Sequence, residues 1–75
     1  MWKQGTIEVN GKQYEYCIKQ FDEGSEFGIN GGRISKLNIR VNGKEVANYD
    51  RGWDIEPKKG DAKLALDLIL HSENY

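Results

Sequence analysis

A chain of 75 residues with 11 basic and 12 acidic side chains has room for one domain, expected to span residues 1–75, and little else. Its formal charge of −1 lacks the basic excess of a general DNA-binding domain, and a single cysteine, Cys17, excludes an internal disulfide. One cysteine and one histidine, His71, also fall short of a zinc cluster, so packing or self-association has to stabilise so small a core.

The opening Met1-Trp2-Lys3-Gln4 leads into no apolar stretch of the secretory kind, so no signal peptide is expected. No apolar run approaches the length of a membrane span. With a lone thiol, the expected compartment is the cytoplasm.

Asn10-Gly11 is the first strong local signal. A type I′ turn needs positive φ at both central residues, which Asn tolerates and Gly adopts freely. The pair predicts a hairpin of Trp2–Val9 with Lys12–Phe21. A two-residue loop sets the register, placing Ile7 opposite Tyr14, Gly5 opposite Tyr16 and Lys3 opposite Ile18. One face then carries Ile7, Val9, Tyr14, Tyr16 and Ile18, with an aromatic ring over Gly5. The other carries Trp2, Gln4, Thr6, Glu8, Glu15, Cys17 and Lys19.

The next stretch, from Gly24 to Arg33, is rich in glycine. A phosphate-cradling loop opens a helix and carries a Gly-Lys-Ser/Thr signature. Here a strand follows and Glu26 intervenes, so a plain connection is expected, with Phe27 tucked onto the core. It is long enough for the third strand to pair with the first or the second.

Asn42-Gly43 predicts a second hairpin, Arg33–Val41 with Lys44–Tyr49. Ile39 is expected opposite Val46, and Arg40 opposite Glu45 on the other face. Strict alternation then puts Asn48 inside and Tyr49 outside, whereas a bulge near Ala47 or Asn48 reverses both. The alternation alone does not choose.

Tyr49 to Pro57 gathers aromatics, acids and one arginine. Asp50, Asp54 and Glu56 are oxygen donors of the kind a divalent cation takes, but their spacing matches no calcium loop. A structural corner is the plainer reading, with Arg51 bridging carboxylates and Trp53 closing the edge between sheet and helix.

Pro57 ends the extended chain, and Asp61 is placed to cap a helix. Ala62, Ala65, Leu66, Ile69 and Leu70 recur at helical spacing. Leu64 and Leu68 widen the apolar arc beyond what packing on one sheet face requires. Either the loop bearing Phe27 and Ile29 or a second molecule is expected to cover them. The fold class that results is α+β: a four-stranded antiparallel sheet from two hairpins, ββββα, with one C-terminal helix on one face.

No catalytic, cofactor or metal constellation emerges. A nucleophilic Cys17 needs a base, and His71 lies at the far end of the helix. The outer sheet face combines Trp2, Lys19, Lys36 and Arg51, joined by Tyr49 in strict register, which is the chemistry of a single-stranded nucleic-acid platform. Glu8, Glu15 and Glu45 share that face and oppose it.

Three segments carry a family resemblance: Met1-Trp2-Lys3-Gln4-Gly5, the run from Gly28 to Leu37, and Asn48-Tyr49-Asp50-Arg51-Gly52-Trp53-Asp54. They resemble a family of short uncharacterised bacterial proteins, typical of gut Firmicutes and their mobile elements and known only as a domain of unknown function. The resemblance implies no activity. It fits a small cytoplasmic binding protein.

The expectation is therefore a non-enzymatic protein-interaction domain that binds an unidentified protein or itself as a homodimer, with no cofactor and no membrane. Candidate partner-binding residues are Leu64, Leu68, Trp2, Lys19, Lys36, Tyr49, Arg51 and Trp53. Single-stranded nucleic acid bound through the outer sheet face is the alternative.

Overall fold

The computed structural model describes residues 1–74. Both Asn-Gly pairs take positive φ at both positions, 52° and 81° at Asn10 and Gly11 and 52° and 76° at Asn42 and Gly43. The hairpins they close are β1 (Trp2–Val9) with β2 (Lys12–Gln20), and β3 (Ile34–Val41) with β4 (Lys44–Asp50). Ile7 faces Tyr14, Gly5 faces Tyr16 and Lys3 faces Ile18, so the first register is as its turn dictates. Of the two pairings open to the third strand, β3 takes the one with β2.

The sheet has five strands, not four. β5 (Trp53–Ile55) folds back on β4, and the order β1-β2-β3-β4-β5 is a plain meander. The turn into β5 carries a left-handed φ of 60° at Arg51, a conformation that Asn or Gly normally signals. An arginine there, followed by a strand of only three residues, leaves no recognisable hairpin pattern.

β4 carries one residue more than its partner. Arg40 pairs with Glu45 but Ile39 pairs with Ala47, so Val46 is a β-bulge and not the partner of Ile39. The inserted residue reverses every side chain after it. Ala47 and Tyr49 turn inward and Asn48 turns outward, opposite Asn38. Tyr49 therefore belongs to the core and not to the outer face, at 8% exposure, and its hydroxyl donates to the carbonyl of Phe27 at 2.9 Å.

The inner face stacks Ile18, Leu37 and Tyr49 in one cross-strand row and Ile39 beside Ala47 in the next. Helix α1 (Gly60–Glu73) closes this layer with Ala65, Leu66 and Ile69, and the turn of 3-10 helix at Ile29–Gly31 adds Ile29. Each large apolar side chain buried in this way contributes about 1.5–3 kcal/mol. Asp61 is not the helix cap. It lies in the first turn, after an extended Lys59, and its carboxylate accepts from the Asn10 amide at 2.7 Å and pairs with Lys12 at 3.3 Å.

The helix is locked at its other end. Asn74 is fully buried; its Oδ1 accepts from the Ile34 amide at 2.9 Å and its Nδ2 donates to the Ile29 carbonyl at 2.8 Å. Its own backbone carbonyl accepts from Arg33 N–H. Beside it, Gln20 Nε2 donates to the Glu73 carbonyl at 2.7 Å, and Lys3 pairs with the Glu73 carboxylate. Backbone groups that the helix end would leave unpaired are thus taken up by the sheet. Among the described residues, no helix is long and apolar enough to cross a membrane.

Candidate functional site

With α1 on the inner face, the fold leaves the other face of the sheet bare. Pairing arranges that face in rows across the strands. Trp2, Lys19, Lys36 and Asp50 form the first, and Gln4, Cys17, Asn38 and Asn48 the second. Two hollows adjoin there. One, of about 420 Å³, is lined by Gln4, Thr6, Glu15, Cys17, Asn38 and Arg40. The other, of about 180 Å³, lies among Trp2, Cys17, Lys36, Asn38, Asn48 and Asp50.

The first row ends in an aromatic corner. Lys19 Nζ stands 6.0 Å from the ring centre of Trp2 and 5.6 Å from that of Phe21, so the cation is flanked by two rings. Both rings remain open to solvent, Trp2 at 56% and Phe21 at 48% exposure. The backbone of Met1 extends the pairing of β1 with β2 through a pair of bonds to Gln20. Lys36 faces Lys19 across the strands and reaches Asp50 at 3.8 Å. Like charges directly opposite disfavour the sheet slightly, and Asp50 offsets this for Lys36.

The far end of the face is knit together internally. The Asn38 amide donates to Glu45, the Asn48 amide donates to the same carboxylate at 3.2 Å, and Arg40 Nε donates to Asn38 Oδ1 at 3.2 Å. Glu8 accepts from Gln13 at 3.0 Å. These groups are largely occupied with one another, unlike the open rings of the aromatic corner.

Of the residues singled out in sequence, Trp2, Lys19 and Lys36 come together on this face. Tyr49 does not, because the Val46 bulge carries it inside. Trp53 joins Tyr49 there, edge to face with ring centres 5.0 Å apart. Arg51 leaves the row as well. Its guanidinium stands 5.3 Å over the Phe27 ring instead of bridging carboxylates. Leu64 and Leu68 stay exposed at 45% and 42%, on the helix surface away from the sheet. Ile29 is in the core and Phe27 is half exposed, so that loop does not bury the two leucines.

Phe21 was not among the sequence candidates, although it was legible, since it follows Lys19 at i+2 and so shares its face. Among the described residues no three His, Cys, Asp or Glu side chains converge as metal donors, and Asp50, Asp54 and Glu56 are not brought together. The glycine-rich stretch folds against itself: Gly28 is buried, with the Gly32 carbonyl where its side chain would project. Cys17 and His71 lie on opposite sides of the sheet, the thiol in the outer rows and the imidazole on α1.

Among the described residues three ionisable groups are displaced, and all lie where the first hairpin meets α1. The Asn10 hydrogen bond, and then Lys12, hold the Asp61 carboxyl below the ordinary aspartate range. Bonding to Asp61 raises Lys12, and bonding to Glu73 raises Lys3. These are ties between elements, joining the first hairpin to α1.

A family model described as a domain of unknown function, DUF7678, matches residues 1–74. No curated protein and no solved structure matches the chain.

Proposed function

The chain belongs to the DUF7678 family, and from that premise we propose that it is a non-enzymatic protein-interaction domain whose bare sheet face receives a protein partner. The observation that carries this reading is the corner at which exposed Trp2 and Phe21 flank Lys19 beside the two hollows. Tryptophan and phenylalanine are side chains that protein interfaces concentrate, and a small domain that exposes them together pays a solubility cost without a partner. The adjoining hollows give a partner's side chains places to seat, and the polar rows supply a rim.

Single-stranded nucleic acid is the second reading. Lys19 opposite Lys36, between open rings, favours it. The formal charge of −1 and the carboxylates of Glu8 and Glu15 on the same face weigh against it.

Photo-crosslinking separates the two. A benzophenone side chain at Phe21, introduced in the cells that make the protein, is expected to yield a discrete protease-sensitive adduct. The same group at Asp67, on the exposed side of α1, serves as control. An adduct removed by nuclease transfers the site to the second reading, and equal labelling from both positions defeats the first.

A further inference from the structure

We propose that the free edge of β1 pairs antiparallel with β1 of a second copy of this chain, across a two-fold axis at Gly5, joining two five-stranded sheets into one. This surface is the backbone edge of β1, which borders the aromatic face at Trp2 but does not depend on that face's reading.

The two edges of the sheet differ. β5 has three residues and runs toward Pro57, whereas β1 has eight, with no proline and no bulge in its pairing with β2. Proteins usually guard an edge of that length with charge projecting past it. On β1 both charged side chains are turned back onto their own chain, Lys3 to Glu73 at 2.7 Å and Glu8 to Gln13 at 3.0 Å. Among the described residues, no charge guards this edge.

The two-residue loop decides which backbone groups that edge offers. Val9 and Lys12 close the loop and exchange both hydrogen bonds, and the pattern alternates from there. Val9, Ile7, Gly5 and Lys3 bond inward to β2. Trp2, Gln4, Thr6 and Glu8 direct their N–H and C=O groups off the sheet.

A second copy satisfies that pattern by symmetry. A two-fold axis normal to the sheet keeps both helices on one face, and it sets opposite each other residues whose numbers add to an even total. Even-numbered residues then meet even-numbered ones, so outward donors meet outward acceptors along the overlap. Charge removes the axes at Lys3 and Glu8, which put like charges opposite, and the overlap is longest for axes at Gly5 or Thr6. At Gly5 no like charges meet: Gln4 faces Thr6 of the second copy, Lys3 faces Ile7, and Trp2 faces Glu8. Gly5 itself has no side chain to obstruct the axis, and the Tyr16 ring already roofs it, with the hydroxyl 2.5 Å from where a Cβ would sit.

Sedimentation across low to high micromolar concentration, together with amide hydrogen exchange at the upper end, tests this. The expected result is a dimer in which the Gln4, Thr6 and Glu8 amides exchange at least tenfold more slowly than in dilute monomer. Thr6→Pro deletes only an outward N–H, a change that an edge strand tolerates, and is expected to give a folded monomer. A wild-type chain that stays monomeric throughout overturns the proposal. So does a dimer whose three amides exchange freely, and so does protection that appears only when a different protein is added. The exchange readout on wild type decides the matter even where Thr6→Pro fails to fold.

Discussion

The carboxamide of Asn74 fills the space into which a side chain on Gly32 would project. The same carboxamide bonds Ile34 and Ile29, so one side chain joins the helix end, the 3-10 turn and the start of β3.

Gly32→Ala is therefore expected to displace a hydrogen-bonded group, at about 1–3 kcal/mol, the usual cost of overpacking a filled site. Asn74→Ala leaves the Ile34 amide without a partner, while the Ile29 carbonyl keeps the Gly32 amide, and is expected to cost about 1–3 kcal/mol for the buried donor left unsatisfied. Urea denaturation of the two variants measures both losses. An unchanged midpoint for Asn74→Ala shows that the clasp does not hold the helix.

Gly5→Ala meets a softer obstacle, the tip of the Tyr16 ring. A loss of about 1 kcal/mol is expected, less than for Gly32→Ala, because the ring can swing outward where Asn74 is pinned. The informative experiment is the double variant with Tyr16→Ala, in which the Gly5 substitution is expected to cost almost nothing further. Additive losses show that the ring is not the obstacle.

Deleting Val46 removes the bulge but keeps Glu45 opposite Arg40 and Ala47 opposite Ile39, so Ala47 and Tyr49 still face the core. The variant is expected to stay folded with the Tyr49–Phe27 bond intact, at a loss of about 1–2 kcal/mol. Deleting Val46 and Ala47 together instead puts Asn48 opposite Ile39 and turns Tyr49 outward, and a loss of at least about 3 kcal/mol is expected, on the scale of deleting a buried aromatic. Thermal unfolding of the two variants separates the bulge from the facing of Tyr49; equal losses show that the facing is not what matters.

The Asp61 tie titrates in acid. Its folded pKa lies below the unfolded value, so its contribution is complete above the ordinary aspartate value of about 3.9 and is lost as pH falls through the folded value. A carbon-detected NMR titration is expected to give a lower Asp61 midpoint in wild type than in Asn10→Ala, since Asn10 is the larger cause. Equal midpoints in the two proteins exclude Asn10 as that cause.

Much of this fold is legible in sequence because two turns are written in residues that suit little else. Asn-Gly at 10–11 and 42–43 dictates loop length, and loop length dictates which side chains share a face. The bulge is harder to read. Val46 is an ordinary strand residue, and what distinguishes its register from the strict one is the tertiary gain of seating Tyr49 under Phe27. β5 is obscured by Arg51 in a conformation that arginine rarely signals. Of the site, Trp2 opposite Lys19 follows from turn geometry, Lys36 joins them through a β2–β3 pairing that the sequence leaves open, and Tyr49 and Arg51 depended on contacts made by distant loops. The wide apolar arc of α1 was visible, and Leu64 and Leu68 are correspondingly left in solvent.

Because each strand pairs only with its neighbour in the chain, the sheet can close one hairpin after another with short excursions of the backbone. The junction of Asn74 with residues 29–34 bridges some forty positions and belongs to the late part of the folding route. Weakening it should then speed the escape from the native state while leaving the rate of refolding nearly untouched, a division that stopped-flow chevrons of Asn74→Ala resolve directly.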